Sequence, residues 1–115
     1  MTISTFFSDT VFFYPTALTA TGTTASLEVA VQDVVAATTF GVQVKVASVG
    51  VNVVVRVEGS LNGTDFFNLD TSDKTLTANG VYFYNYTNQP LKVIRGNLVS
   101  ISGGTPTVTF VISAK

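Results

Sequence analysis

Cysteine, histidine and tryptophan are all absent from this chain of 115 residues, and charge is scarce. Without cysteine there is no disulfide framework, no thiolate nucleophile, no iron–sulfur cluster and no thiolate zinc site. Without histidine the chain lacks the commonest general base and metal ligand, and no Ser-His-Asp arrangement can be assembled. Catalysis would fall to carboxylates, Lys or Tyr, and no pair of these is spaced for it. The expectation is a protein that is not an enzyme, with no catalytic residue, no cofactor and no metal. The compartment stays open, because a chain without cysteine suits oxidising and reducing surroundings alike.

Charged residues make up 11% of the chain, against roughly 25% in an ordinary soluble domain. Six Lys and Arg against seven Asp and Glu leave a net charge of −1. No basic footprint for nucleic acid exists in that balance. No stretch approaches 18 consecutive apolar residues, so no membrane span is expected. Residues 1–13 contain no Lys or Arg and no clean apolar run, so no signal peptide is read there. A mean hydropathy of +0.44 is nevertheless high for a soluble monomer. A surface so poor in charge favours association, so much of it is expected to be covered by partners.

What is abundant is the composition of a pleated sheet. Nineteen Val and 18 Thr residues favour half-buried strands. In Val42-Gln43-Val44-Lys45-Val46 apolar and polar residues alternate strictly. Residues 51–58 put Val51, Val53, Val55 and Val57 on one face and Asn52, Val54, Arg56 and Glu58 on the other. The intervening Ser48-Val49-Gly50 reads as the turn of a hairpin. Val108, Phe110 and Ile112 alternate in a last strand, with residues 98–102 as its partner and Gly103-Gly104-Thr105-Pro106 as their turn. Further strands are expected over 27–31, 66–69, 81–87 and 91–95, and the spacing over 32–39 allows a single helical turn. About eight short strands with Gly, Asn or Pro between them predict an all-β, antiparallel β-sandwich with jelly-roll-like connections. The core domain is expected over 18–115.

Residues 1–17 stand apart as an N-terminal aromatic arm or a first strand. Phe6, Phe7, Phe12, Phe13 and Tyr14 crowd five of the 13 aromatics into nine residues. One reading is a first strand contributing to its own core; the other is an arm packed on a neighbouring subunit, since so much aromatic area must be tied down. Tyr82, Tyr84 and Tyr86 share one face of a strand, with Phe83 on the other. They form either an interface or sugar-stacking row, or a sheet face with cross-strand aromatic pairs. These eight aromatic residues, Phe83 aside, are the candidate interface.

The most distinctive segment is Val57-Glu58-Gly59-Ser60-Leu61-Asn62-Gly63-Thr64-Asp65-Phe66-Phe67-Asn68-Leu69. Asn62-Gly63 predicts a tight turn whose two residues tolerate positive φ, and Asp65 can turn back on the backbone through an Asx bond. Together with the final Pro106-Thr107-Val108-Thr109-Phe110-Val111-Ile112-Ser113-Ala114, this segment resembles small β-sandwich proteins of tailed-phage virions. The resemblance runs from Phe40 to Lys115, and Phe66 stands where the pattern has Trp. It implies a structural virion protein, a capsid decoration (cement) protein on the capsid surface, made in the host cytoplasm. Its implied partners are the major capsid protein or another virion protein. The few, singly spread Lys and Arg residues leave sheet edges unguarded and predict a homo-oligomer, for which the resemblance favours a trimer. The alternative it leaves open is a carbohydrate- or receptor-binding module of a phage tail or cell surface.

The remaining polar motifs are weaker. Asp65, Asp70 and Asp73 could supply loop oxygens to Ca²⁺, but EF-hand spacing is absent and isolated loop Asp residues are usually turn formers. Glu58 with Asp65 or Asp70 is a formal glycosidase pair with no environment to raise a carboxyl pKa. Asn62-Gly63-Thr64 and Asn85-Tyr86-Thr87 match the glycosylation pattern, as chance allows in a chain rich in Asn and Thr.

Overall fold

A computed structural model of the chain describes residues 10–31 and 35–115. Ten strands follow one another among them: β1 (Val11–Phe13), β2 (Gly22–Thr23), β3 (Leu27–Glu28), β4 (Ala30–Val31), β5 (Val35–Ala36), β6 (Phe40–Ser60), β7 (Phe66–Asn68), β8 (Lys74–Leu76), β9 (Gly80–Tyr86) and β10 (Val93–Ala114). Eight of them form one antiparallel sheet, and β4 pairs with β5 alone. The chain is all-β, as its alternation predicts. Phe6 and Phe7 lie outside the described residues. Of the helical turn expected over 32–39, the described part is strand β5 and irregular chain.

Two long strands organise everything else. β6 and β10 run antiparallel along their whole length, from Val93 opposite Ser60 to Ala114 opposite Phe40. The outer edge of β6 is lined in turn by β9, β8 and β7. The outer edge of β10 is lined by β1, a single bridge at Leu18, then β2 and β3.

This corrects both expected hairpins. Ser48-Val49-Gly50 does not reverse the chain, and neither does Gly103-Gly104-Thr105-Pro106. Instead the two segments face each other inside the ladder, with Gly104 opposite Val49, and the register shifts on either side of Gly104. Ser48 adopts φ 58°, and Gly103 and Gly104 both adopt φ 70°. Positive-φ residues on paired strands make bulges, which bend and twist a ribbon without ending it. Residues 91–95, 98–102 and 108–112 therefore belong largely to one continuous strand.

The bend closes the core. Laid straight, the 22 residues of β10 would span about 73 Å, yet the longest dimension of the molecule is 47 Å. The sheet curls so that its two halves face each other. Phe40, Val42, Val44 and Val46 from one half of β6 meet Val53, Val55 and Val57 from the other. Ile94 and Leu98 of β10 likewise meet Val108, Phe110 and Ile112. Val51, which alternation sets on the face of Val53, Val55 and Val57, sits in the bend and is 63% exposed.

Candidate functional site

The outer face of the sheet half built from β1, β10, β6 and β9 carries the most unusual surface. Register places Phe12 opposite Ser113, Ser113 opposite Gly41 and Gly41 opposite Asn85. The next row sets Val111 opposite Gln43 and Gln43 opposite Phe83. Phe12 is 60% exposed and Phe83 67%, with Val81 exposed beside them. Register adds Lys45 to this face, opposite Val81, and the Lys115–Thr39 pair that continues the ladder sets Lys115 at its end.

Gly41 makes the shape. A side chain there would begin 2.7 Å from Ser113 Oγ and 3.1 Å from the Phe83 ring, so the missing Cβ lets Phe83 lie across the strand. The Gly41 N–H donates to Ser113 Oγ at 3.2 Å. Phe12, Gly41, Gln43, Phe83, Val111 and Ser113 thus enclose a shallow cleft of about 130 Å³. Two aromatic rings bound it, and an amide and a hydroxyl supply its polar atoms. That chemistry suits burial against another apolar surface, or stacking on a flat ring flanked by hydrogen-bonding groups.

The other candidate residues are placed differently. Phe13 points inward and packs against the core, while Tyr14 is exposed. The row Tyr82, Tyr84 and Tyr86 turns toward the core side of β9. Tyr86 is buried and its hydroxyl donates to Asp70 Oδ2 at 2.7 Å. Burial, then the Asp70 contact, pushes the Tyr86 phenol well above its ordinary range. Burial also raises Tyr84, with Tyr82 and Asp70 adding to it. The Tyr82 hydroxyl donates to the Ala78 carbonyl at 2.6 Å. The alternation was legible; which of its faces met solvent was not.

A second cluster holds the opposite half of the sheet. Glu58 is buried, and its carboxylate accepts from Arg95 Nε and Asn97 Nδ2, both at 2.9 Å, and from Arg56 Nη1 at 3.3 Å. Burial pushes this carboxyl up, but the Asn97 and Arg95 hydrogen bonds and the Arg95 charge outweigh it and hold it below the usual range. Arg56 also grips Asp73 through Nε at 2.7 Å and Nη2 at 3.0 Å. That bidentate contact holds Asp73 down and Arg56 protonated. The Arg95 guanidinium lies 3.5 Å above the Phe66 ring, so the position where the resembled pattern has Trp is capped by a cation.

The carboxylates considered for Ca²⁺ are spoken for separately. Asp65 accepts from Asn62, Asp70 from Tyr86 with Lys74 at 3.5 Å, and Asp73 from Arg56 and Asn68. Among the described residues no three acidic groups converge on a common point. The turn forms at Asn62-Gly63 as expected, and its Asx bond differs from expectation. Only Gly63 has positive φ, and the Asx bonds come from Asn62, whose Oδ1 accepts from the N–H groups of Thr64 and Asp65. An amide oxygen at the first loop position reaches both donors, which Asp65 at the far end cannot.

No family model and no curated protein matches the sequence. The fold is similar to that of a prophage protein. The crystal structure of the SPBc2 prophage-derived protein YomS aligns over 91% of this chain and 93% of its own, with a TM-score of 0.58. Identity is 13%, so the likeness is one of fold. It extends over nearly the whole of both chains, including the regions outside the part that carries the sequence resemblance.

Proposed function

We propose that this chain is a structural component of a phage particle, and within that class a decoration protein that cements the capsid shell. The observation that carries this reading is the face spread over four strands on which Phe12, Phe83 and Val81 stand exposed among mostly uncharged neighbours. The fold it shares with a prophage-derived protein and the resemblance to virion β-sandwich proteins point the same way. Cementing needs no catalytic group. It needs apolar area to bury across junctions between capsid subunits. A standard contact of about 1,600 Å², repeated over many sites, opposes loosening of the shell.

Particles of the phage that encodes the chain provide the test. Purified particles should contain the protein in a copy number that scales with the capsid protein. Particles from a gene-deleted strain should release DNA at lower temperature, and added protein should restore the difference. Absence from purified particles would overturn the reading.

One feature favours a second reading, a carbohydrate- or receptor-binding module. The same two rings are flanked by Gln43, Asn85 and Ser113, which can hydrogen-bond sugar hydroxyls. Binding on a glycan array that is lost with Phe83→Ala, in a protein missing from the shell, would favour it.

A further inference from the structure

We infer that β9 is a docking edge for a second copy of this chain, joined by antiparallel strand addition about a two-fold axis at Phe83. The inference is independent of what the aromatic face binds. β9 pairs with β6 on one side, and among the described residues no strand pairs on its other side. Natural sheets guard such edges with short strands, Lys, Pro, bulges or a covering loop. The described edges other than β9 obey this rule: β1, β7 and β8 have three residues each, β2 and β3 have two, and the uncovered middles of β6 and β10 are broken by the register shifts around Gly104, with Pro106 beside them.

β9 uses none of those devices. Gly80-Val81-Tyr82-Phe83-Tyr84-Asn85-Tyr86 has seven residues, no charge and no proline, and its register with β6 is unbroken. Val81 and Phe83 are both more than half exposed. The strand is also self-complementary. Antiparallel pairing centred on Phe83 sets Phe83 against Phe83, Val81 against Asn85 and Tyr82 against Tyr84 of the other copy. No like charges meet, and all seven residues find a partner.

Symmetry decides the number of copies. A two-fold contact uses one patch twice, whereas a ring of three needs β9 to meet a different patch. The far edge of the same sheet half is β1, with only three residues. Two copies of β9 match in length; β9 and β1 do not. The trimer implied by the phage resemblance is therefore not the assembly this edge supports. Pairing also joins the two outer faces, so that Phe12 and Phe83 of both copies form one apolar strip.

The test uses the full chain. Light scattering at micromolar concentration should give twice the 12.1 kDa chain mass. Val81→Glu with Asn85→Glu sets glutamates against each other at both ends of the contact. That double variant should be a folded monomer, since both side chains face solvent and the carboxylate introduced at position 81 would lie beside Lys45. Its melting temperature should no longer rise with protein concentration, as the parent's does. Because the chain has no cysteine, introduced thiols report the register directly. Directly opposed residues have Cα atoms about 4.5–5.5 Å apart, within disulfide range. Phe83→Cys should oxidise to a covalent dimer, and Thr75→Cys, exposed on β8, should not. As a second check, Val81→Cys should cross-link with Asn85→Cys in a mixture and not with itself. A monomer, a trimer, or a dimer in which Phe83→Cys cross-links no faster than Thr75→Cys would overturn the inference.

Discussion

The ring of Phe110 lies against the α-carbon of Gly96, fourteen residues earlier in the same strand. In a straight strand those two residues would be about 46 Å apart. Their contact is the fold of β10 upon itself, and it leaves no room for a methyl group. A Cβ at position 96 would sit 2.5 Å from Phe110 Cδ2 and 2.6 Å from Cγ and Cε2. Phe110 is fully buried and has nowhere to swing.

Gly96→Ala is therefore expected to cost about 1–3 kcal/mol by overpacking. In urea denaturation the midpoint should fall with little change in slope. Gly96→Ala combined with Phe110→Leu should recover part of the loss, because the smaller side chain frees the space. A Gly96→Ala variant as stable as the parent would mean that the two halves of the sheet are not in contact here.

The same pair marks the boundary of what local sequence can tell. Alternation at Val42, Val44 and Val46 and at Val53, Val55 and Val57 identifies the inward face, because side-chain direction in a strand is a local property. Bend against turn is not local. Ser48 and Gly103-Gly104 carry the residue types of a chain reversal, and the bulge they form depends on Gly104 meeting Val49 more than fifty residues away. The Glu58 cluster was hidden for the same reason. Arg56-x-Glu58 and Arg95-x-Asn97 are ordinary strand runs until register sets Arg95 opposite Glu58 and Asn97 opposite Arg56. Phe83 carried a signal only in being opposite in phase to Tyr82, Tyr84 and Tyr86. Packing, not pattern, then turned the tyrosines inward.

Glu58 and Asp73 are expected to set the acid limit of stability. Both carboxyls are held below their ordinary values in the folded protein. Their contribution is thus fully present above the unfolded values, about pH 4, and is lost as pH falls through the lower folded values. The melting temperature should be flat near neutrality and drop below about pH 4. Glu58→Gln should cost about 1–2 kcal/mol at pH 7, since both arginines keep partial access to water. It should also make the acid limb shallower. An unchanged acid limb in thermal scans would place the titrating groups elsewhere.

Adjacent residues on β6 should respond by different mechanisms. Val55 is fully buried, so Val55→Asp buries an unpaired charge and should prevent folding. Arg56, on the opposite face, reads from alternation as a residue whose loss costs little. Its contacts with Asp73 and Glu58 revise that expectation. Arg56→Ser should fold and lose a modest part of the stability, by leaving buried Glu58 with fewer donors and by releasing Asp73. Circular dichroism during urea titration separates the two. Equal loss in both variants would put the register of β6 off by one residue.

Phe12 and Phe13 offer the sharpest separation of folding from docking, because one strand points them in opposite directions. Val11–Phe13 pairs with β10 as β1, so this part of the aromatic N-terminal segment is a strand of the sheet. Phe13 packs against the core from a half-buried position, and Phe13→Ala should cost about 1–2 kcal/mol, less than a fully buried ring. Phe12 is largely in solvent and bounds the cleft with Phe83. Phe12→Ala should change stability by no more than about 0.5 kcal/mol. If the face docks on a capsid shell, the same substitution should weaken binding by about tenfold or more, because aromatic anchors dominate such contacts. Urea melts give the first quantity, and co-sedimentation with particles lacking the native protein gives the second. The expected result is a crossed pattern: Phe13→Ala melts early and binds once folded, whereas Phe12→Ala melts normally and binds poorly. If Phe12→Ala bound particles as the parent does, the cleft would not be the docking face. If it destabilised the fold as much as Phe13→Ala, the facing of β1 itself would be wrong.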